Sequence, residues 1–406
     1  SVGCFKRDFE MSWQEVLSNE VLDIRDGTHD SPKYLDSGYP LITSKNLKQG
    51  IIDFSDVSLI SEEDYNNINK RSRVNKGDIL YSMIGSIGNY ALVNKEPHYA
   101  IKNVALFKFI DKRLYNKYFL HLINSFVIER QIKKAMKGGT QKFVSLKILR
   151  NLKIPLPPLD QQKKIAAILD AADAYRQKTK ALITKYDDLT QSLFLDMFGD
   201  PVTNPKGWEI QCLSNVCTLQ GGFSFKSKDF VENGVKLVKI GNVHFQNIIW
   251  DEVDLLPKEF LVKHSNFSLN EGDILMALTR PIIKSLGTVK AVTVKKSDLP
   301  CLLNQRVARF VPNESKIKKR YLLDYIYSNY FKNKIDKYSS TSLQPNVSNK
   351  QIEKIEIFVP PLEIQNQFTK RVQAIEAQKA QAQASLAQAD HLFNSLLQRA
   401  FKGELI

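Results

Sequence analysis

The chain has 406 residues, 43% hydrophobic and 25% charged, with Lys and Arg outnumbering Asp and Glu by 58 to 43 for a net charge of +15. That length allows two or three domains, and the composition excludes a long disordered chain. No run of about 18 apolar residues and no signal peptide is seen, and Cys4, Cys212, Cys217 and Cys301 make no C-x-x-C pair, so neither a membrane span nor a disulfide framework is expected.

Such thiol usage fits a reduced cytoplasm. Folding does not require so large a basic excess. It points to a polyanionic partner, most often nucleic acid, with an incidental basic surface as the bland alternative.

Met11-Ser12-Trp13 reads as a natural start, which would make the ten residues before it an extension. From there the chain reads as mixed α/β. Ile79–Met83 and Ala105–Phe109 are β-like runs bounded by Gly, Pro, Asn and Asp, and Leu114–Met136 has helical apolar spacing. Polar turns in this part offer donors to nucleic acid: Thr28, His29 and Lys33 in one loop, Ser44, Lys45 and Asn46 in the next. Ser82, Ser86 and Asn89 follow the Gly77-Asp78-Ile79-Leu80 strand, and Lys102, Asn103, Gln141 and Lys142 come later.

After Pro157-Pro158 the pattern changes. Apolar residues recur alternately three and four apart at Ile165, Ile168, Ala172, Tyr175, Thr179, Leu182, Tyr186, Leu189 and Leu193. This is the seam of a coiled coil, opened by proline and closed by Gly199.

The chain then repeats itself. Gln141–Phe198 aligns without a gap on Gln344–Phe401, an offset of 203 residues, or 29 heptads. Upstream the offsets drift: Trp13 and Gly77 fall on Trp208 and Gly272 at 195, Gly38 on Gly234 at 196, Asn103 and Phe109 on Asn304 and Phe310 at 201. The second copy has its own β-like run at Val307–Phe310, a helical stretch at Lys318–Tyr338, and a weaker seam at Phe368, Arg371, Ile375, Gln378, Ala382, Ser385, Ala389, Leu392 and Leu396, with Val372 and Leu386 beside it, closed by Gly403. Its candidate nucleic-acid residues are Lys226, Thr279, Arg280, Lys284, Asn304, Gln305, Arg306 and Gln344. Arg favours guanine and Asn or Gln adenine in the major groove.

A solenoid would repeat every 50 residues or fewer, so this is a duplicated domain. The expected organisation is one domain over 11–157, a long helix over 158–199, a second domain over 200–360 and a second helix over 361–406. At 38–40 residues each helix would be roughly 57–60 Å long. Shared length and register favour an antiparallel pair over two independent amphipathic helices.

Catalytic motifs are missing. There is no G-x-x-x-x-G-K-[ST] loop, no G-x-G-x-x-G after a strand, no Asn-Pro-Pro-aromatic tetrapeptide and no nuclease core, and Gly221-Gly222 reads as a turn. The six histidines are scattered, with no metal-ligand spacing. A recognition or scaffold role is the expectation.

With these residues in view, the chain resembles the specificity (S) subunits of type I restriction–modification systems. The resemblance rests on the helix openings Leu156-Pro157-Pro158-Leu159-Asp160-Gln161-Gln162 and Val359-Pro360-Pro361-Leu362-Glu363-Ile364-Gln365, on Gly77-Asp78-Ile79-Leu80, on Leu303-Asn304-Gln305-Arg306-Val307 and on the ending Asn394–Leu405. It covers the chain from about Met11. It implies an α+β fold: two mixed α/β target recognition domains joined by two long helices, conserved in that family, that form an antiparallel coiled coil. Each domain would read one half of a split, asymmetric double-stranded DNA target in a prokaryotic cytoplasm. The helices would set the spacing and dock two methyltransferase subunits, with motor–nuclease subunits in the full complex. S-adenosylmethionine, ATP and Mg would belong to those partners, leaving this chain without catalytic or metal-binding residues. Two other classes stay open: the recognition portion of a fused methyltransferase–nuclease, and a coiled-coil scaffold whose charge serves RNA or membrane surfaces.

Overall fold

The computed structural model describes residues 13–48, 50–136, 143–339 and 345–405. It divides into two compact units, one of residues up to Lys180 together with Gln383 onward, the other of Ala181–Ala382. Both have the same plan.

In the first unit an antiparallel sheet runs Leu22–Asp26, Val104–Phe109, Ile79–Ser82, Tyr90–Leu92. In the second it runs Cys217–Gly221, Val307–Pro312, Ile274–Ala277, Ala291–Thr293. A smaller sheet sits beside each, with Tyr39–Ile42 parallel to Ala100–Ile101 in one and Val235–Val238 parallel to Cys301–Leu303 in the other. The strand Glu15–Leu17 pairs with Lys153–Pro155, as Ile210–Cys212 does with Glu356–Phe358.

Strand register sharpens the drifting offset. Ile79 pairs with Phe107 and Ile274 with Phe310, so the copies are 195 apart on one strand and already 203 apart on its neighbour. Phe310 therefore occupies the place of Phe107, not of Phe109 as the sequence alignment has it. The parallel bridges Thr28 to Lys102 and Phe223 to Asn304 likewise make Asn304 the twin of Lys102, one residue away from Asn103. Most of the extra length in the second copy lies after Ala277, where a hairpin pairs Ile282–Ile283 with Thr288–Val289.

The Gly-Asp-Ile-Leu strand starts have a mechanical reason. Asp78 accepts from Asn75 N at 2.8 Å and from Lys108 Nζ at 2.7 Å. Its twin Asp273 accepts from Asn270 N at 2.9 Å and from Arg309 at 3.1 Å. Each carboxylate closes the turn before its strand and ties down a cation on the next one. Gly77 and Gly272 hold φ of 91° and 83°, a conformation that carries a large penalty with a Cβ.

Each expected helical stretch after the sheet is broken in two. Asn116–Ile123 is followed by Phe126–Met136, and Lys319–Ile326 by Asn329–Ser339. The breaks fall at Asn124-Ser125 and Tyr327-Ser328. Ser125 Oγ donates to Leu122 O at 2.6 Å, the local side-chain bonding that competes with helix continuation. The first helix of each pair buries a tyrosine whose hydroxyl donates to the strand before the long helix: Tyr118 to Pro155 O at 2.9 Å, Tyr321 to Phe358 O at 2.7 Å.

The long helices span Leu159–Phe198, 40 residues, and Leu362–Ala400, 39 residues. They end as expected at Gly199 and Gly403, with φ of 84° and 77°. In the first unit Arg176 Nε meets Asp390 at 2.6 Å, and Ile165 and Leu169 share a core with Leu397, Ala400 and Phe401. In the second unit Lys379 pairs with Asp187, while the rings of Phe194 and Phe198 lie 5.9 and 5.1 Å from Phe368. Residue numbers rise on one helix as they fall on the other, so the pairing is antiparallel. The two ion pairs are themselves twins at the 203-residue offset. A polar residue on a helix seam fixes register and orientation, and both copies place one at the same depth.

Half of the expected seam is displaced by one residue. Ile165, Ala172, Thr179, Tyr186 and Leu193 do face inward, but Ile168, Tyr175, Leu182 and Leu189 are exposed, and Leu169, Arg176, Ile183 and Thr190 take the inner places. On the second helix Val372, Lys379 and Phe393 replace the exposed Arg371, Gln378 and Leu392 in the same way, while Ser385 and Leu386 are both half-buried. Arg176 serves as core because its stem packs inward and its guanidinium sits 4.3 Å from the Phe393 ring centroid while paired to Asp390.

Candidate nucleic-acid interface

Three strand ends meet at one edge of each main sheet. In the first unit they are the ends of Leu22–Asp26 and Ile79–Ser82 and the start of Val104–Phe109. In the second they are the ends of Cys217–Gly221 and Ile274–Ala277 and the start of Val307–Pro312. Loops rather than strands therefore present side chains there, held by a rigid sheet.

The loops are forced close together. A Cβ on Gly27 would lie 2.2 Å from Ile101 O, and one on Gly222 would lie 2.0 Å from Asn304 O. Only glycine lets these backbones touch. Three of the five non-glycine residues with positive φ among the described residues stand at these edges: Asn103 at 55°, Arg280 at 47° and Arg306 at 65°. Strained backbone of this kind clusters at functional sites, where surrounding structure over-determines it.

In the first unit the edge gathers Thr28, His29, Lys102 and Asn103. Lys102, expected as a nucleic-acid contact, is instead buried, and its Nζ donates to Ser31 Oγ at 2.6 Å, so it braces the loop from beneath. His29 is exposed. One ring nitrogen lies 2.8 Å from Asn103 Oδ1 and the other 2.8 Å from Asp26 Oδ2. Both partners accept when the imidazole carries two protons, so these bonds, Asn103 first, raise His29 above its ordinary value near 6.5. Because the folded value is the higher one, the stabilisation is full below about pH 6.5 and is lost as pH rises through the raised value. The melting temperature of the first unit is expected to show that fall, and His29→Gln should flatten it. An NMR titration midpoint for His29 at its unperturbed value would contradict this.

Other candidates are placed elsewhere or committed. Asn46 is buried: it donates to Asp53 O and Asp56 O at 3.1 and 2.9 Å and accepts from Thr43 N at 3.0 Å. Its twin Asn242 holds Lys239, Ile249 and Glu252 in the same manner, so Asn46 fastens a loop and has no group left for a base. Ser82 is buried with its hydroxyl on Ile84 O at 3.0 Å, and Thr279 is buried beneath its loop. These three expectations are corrected: all are interior residues. Lys45 is exposed but paired to Asp56 at 3.0 Å. Ser86, an exposed residue, and Asn89, half-buried, stay on the loop after Ser82, with Ser44 close by, its Oγ within 3.9 Å of where a Cβ on Gly85 would stand. Lys33 and Lys226 are exposed on flanking loops. Gln141, Lys142 and Gln344 lie outside the described residues.

In the second unit the edge gathers Asn304, Gln305, Arg306 and Arg280. Leu278 N donates to Arg306 O at 2.8 Å and Arg280 N to Pro345 O at 2.7 Å, which fixes both arginine backbones beside one another. Both side chains are exposed, and neither has an ion-pair partner among the described residues. Lys284 is exposed on the adjoining hairpin. Two unpaired guanidiniums on strained backbone, flanked by Asn304 and Gln305, form a surface suited to phosphate oxygens and base edges.

Sequence comparison agrees with this duplicated plan. The model of the type I restriction modification DNA specificity domain matches the chain twice, at residues 10–185 and 205–388. The chain belongs to the type I restriction–modification DNA specificity family. It is 34% identical over 363 residues to the type I restriction enzyme MjaVIII specificity subunit of Methanocaldococcus jannaschii, covering 84% of this chain and 80% of that one. It is 23% identical over 408 residues to the EcoKI specificity subunit of Escherichia coli K12, covering 92% and 84%. The solved S subunit of the type I system of M. genitalium shares the fold, with a TM-score of 0.55, 14% identity and 98% of each chain covered.

In this specificity subunit the two matched domains are recognition domains, and one edge residue escaped the sequence reading. Phe223 is 38% exposed and occupies the place of Thr28. Gly221-Gly222 before it reads as an ordinary turn, and only the bridge to Asn304 shows what the glycines bring together. None of the helices among the described residues is long and apolar enough to cross a membrane.

Proposed function

We propose that this specificity subunit reads a split, asymmetric double-stranded DNA target, one half at each loop edge. The observation that carries the reading is the recurrence of the same strained edge in both units with different side chains on it. One edge presents Thr28, His29 and Asn103; the other presents Phe223, Gln305, Arg306 and Arg280. Equivalent frames with unlike side chains fit two half-sites of unlike sequence. The net charge of +15 supplies the non-specific attraction to phosphate.

The long helices set the spacing and dock two methyltransferase subunits. The gapless 203-residue offset supports a spacer of held length. Ile168 and Tyr175 in the first unit, and Leu182 and Leu189 in the second, are large apolar residues exposed at seven-residue intervals, which suits a partner's apolar surface. Methyl transfer, and motor and nuclease activity with ATP and Mg, belong to partner subunits that hold S-adenosylmethionine and the metal.

The test is to reconstitute this chain with its methyltransferase subunits, methylate random and genomic DNA, and map the modified adenines. A single split motif with two different halves is expected. Methylation without sequence preference would overturn the reading, and methylation by this chain alone would favour a catalytic one.

A further inference from the structure

We infer that Phe223 is a specificity-determining residue of the second recognition edge, where its ring makes an apolar contact with the 5-methyl group of a thymine. The inference rests on the reading of that edge as DNA-facing.

Phe223 belongs to the edge by its backbone. Its N–H donates to Leu303 O at 3.1 Å, and its carbonyl accepts from Gln305 N at 2.8 Å. It therefore sits one strand away from Asn304, Gln305 and Arg306, with Gly222 allowing the close approach. Its ring is also fixed. The centroids of Phe225, His264 and Phe267 lie 4.9, 4.5 and 5.4 Å away, so the ring is packed in an aromatic cluster while the residue stays 38% exposed. A ring so held loses little rotamer freedom on binding.

The surroundings decide what meets its exposed part. Gln305 and Arg306 beside it are exposed and polar, matched to acceptors and donors on base edges and to phosphate. Within the major groove the thymine methyl group is the one projecting apolar group; the cytosine C5–H at the matching place is smaller, and the remaining edge positions are donors or acceptors. An aromatic ring set among base-reading side chains is complementary to that one group. The twin position in the first unit carries Thr28, whose hydroxyl accepts from Asp30 N at 3.1 Å, so the aromatic contact belongs to the second half-site alone.

The experiment uses the complex with methyltransferase subunits and duplexes carrying its mapped target. Each thymine of each half-site is replaced in turn by deoxyuridine, which removes only the methyl group, and affinity is measured at fixed salt. One position in the second half-site should weaken by about fourfold, the worth of one buried methyl group. Phe223→Ala should bind the thymine and uridine duplexes equally, and Phe223→Leu should keep part of the difference. Tolerance of every uridine in the second half-site by the unaltered subunit would overturn the inference. So would a uridine penalty that persists in Phe223→Ala, or a second half-site without thymine on either strand. The wild-type scan and Phe223→Leu decide the matter even where Phe223→Ala folds poorly. A complex that prefers no sequence at all would instead sink the DNA-reading assignment on which this rests.

Discussion

Gln162→Leu is expected to lower the melting temperature of the first unit by roughly 10 °C, and Gln365→Leu to do the same to the second. Both glutamines are fully buried and fully used. Gln162 Oε1 accepts from Tyr115 N at 2.8 Å, and its Nε2 donates to Arg113 O at 2.7 Å and Pro157 O at 2.8 Å. Gln365 repeats this with Lys318 N at 2.7 Å, Lys316 O at 3.1 Å and Pro360 O at 2.7 Å. Each side chain joins the start of a long helix to the loop that enters the buried tyrosine helix. Leucine is of similar size but leaves one N–H and two carbonyls without partners. At about 1–3 kcal/mol for each orphaned buried group, shared among partly relaxing neighbours, the loss is on the order of 3–5 kcal/mol. Calorimetry or urea melts of the two single variants would show separate transitions moving, one per variant. A shift under about 2 °C would mean that the clamp is not what holds helix to domain. This clamp is the physical content of the Pro-Pro-Leu-x-x-Gln opening that occurs at both helix starts.

Replacing Arg280 and Arg306 together by alanine should cost the second half-site on the order of 100-fold in specific affinity while leaving the first half-site intact. Both side chains are exposed and free of ion pairs among the described residues, so neither is expected to matter for folding. A well-placed bidentate arginine is worth about 1–3 kcal/mol of base discrimination, and two together give about 3 kcal/mol in the lower half of their summed range of about 2–6. Competition binding with duplexes altered in one half at a time reads the effect. Relaxed preference confined to second-half bases is the expected result. A uniform loss over all sequences, with a shallower salt dependence, would make both arginines phosphate contacts instead. Equal loss of discrimination at both halves would contradict separate recognition edges.

What the chain carries in one dimension is its repeat and its caps. Gly199 and Gly403 end the helices where the pattern says, because a helix C-terminus needs a left-handed residue wherever it occurs. The double prolines start them for an equally local reason. The strands after Gly77-Asp78 and Gly272-Asp273 were legible because turn chemistry and β-branched runs act over four or five residues.

Side-chain direction was legible only in part. Ile168 and Leu169 are both apolar and adjacent, so spacing alone cannot choose between them, and the partner helix decides for Leu169. Arg176 and Lys379 face inward because each finds an aspartate across the seam, a compensation invisible in hydropathy. Asn46 looks like a base reader by residue type, yet its burial against Asp53 and Asp56 makes it a fastener. Phe223 looks like core by residue type, yet the close approach allowed by Gly222 leaves it on the recognition edge.

The sequence by itself determined that this protein is one domain written twice, with long capped helices of held length and phase, and the motifs of its family. Those are matters of local propensity and of repetition along the chain. Tertiary structure alone decided that the first unit is closed by Phe393 and Leu397 of the last helix with Phe401 just after it, and the second by Phe194 and Phe198 of the central helix. It also decided which loops meet at each strand edge, and which residues there stay exposed. Both follow from packing partners far apart in the chain, from tens of residues at the loop edges to more than a hundred at the closing helices, and no local pattern encodes them.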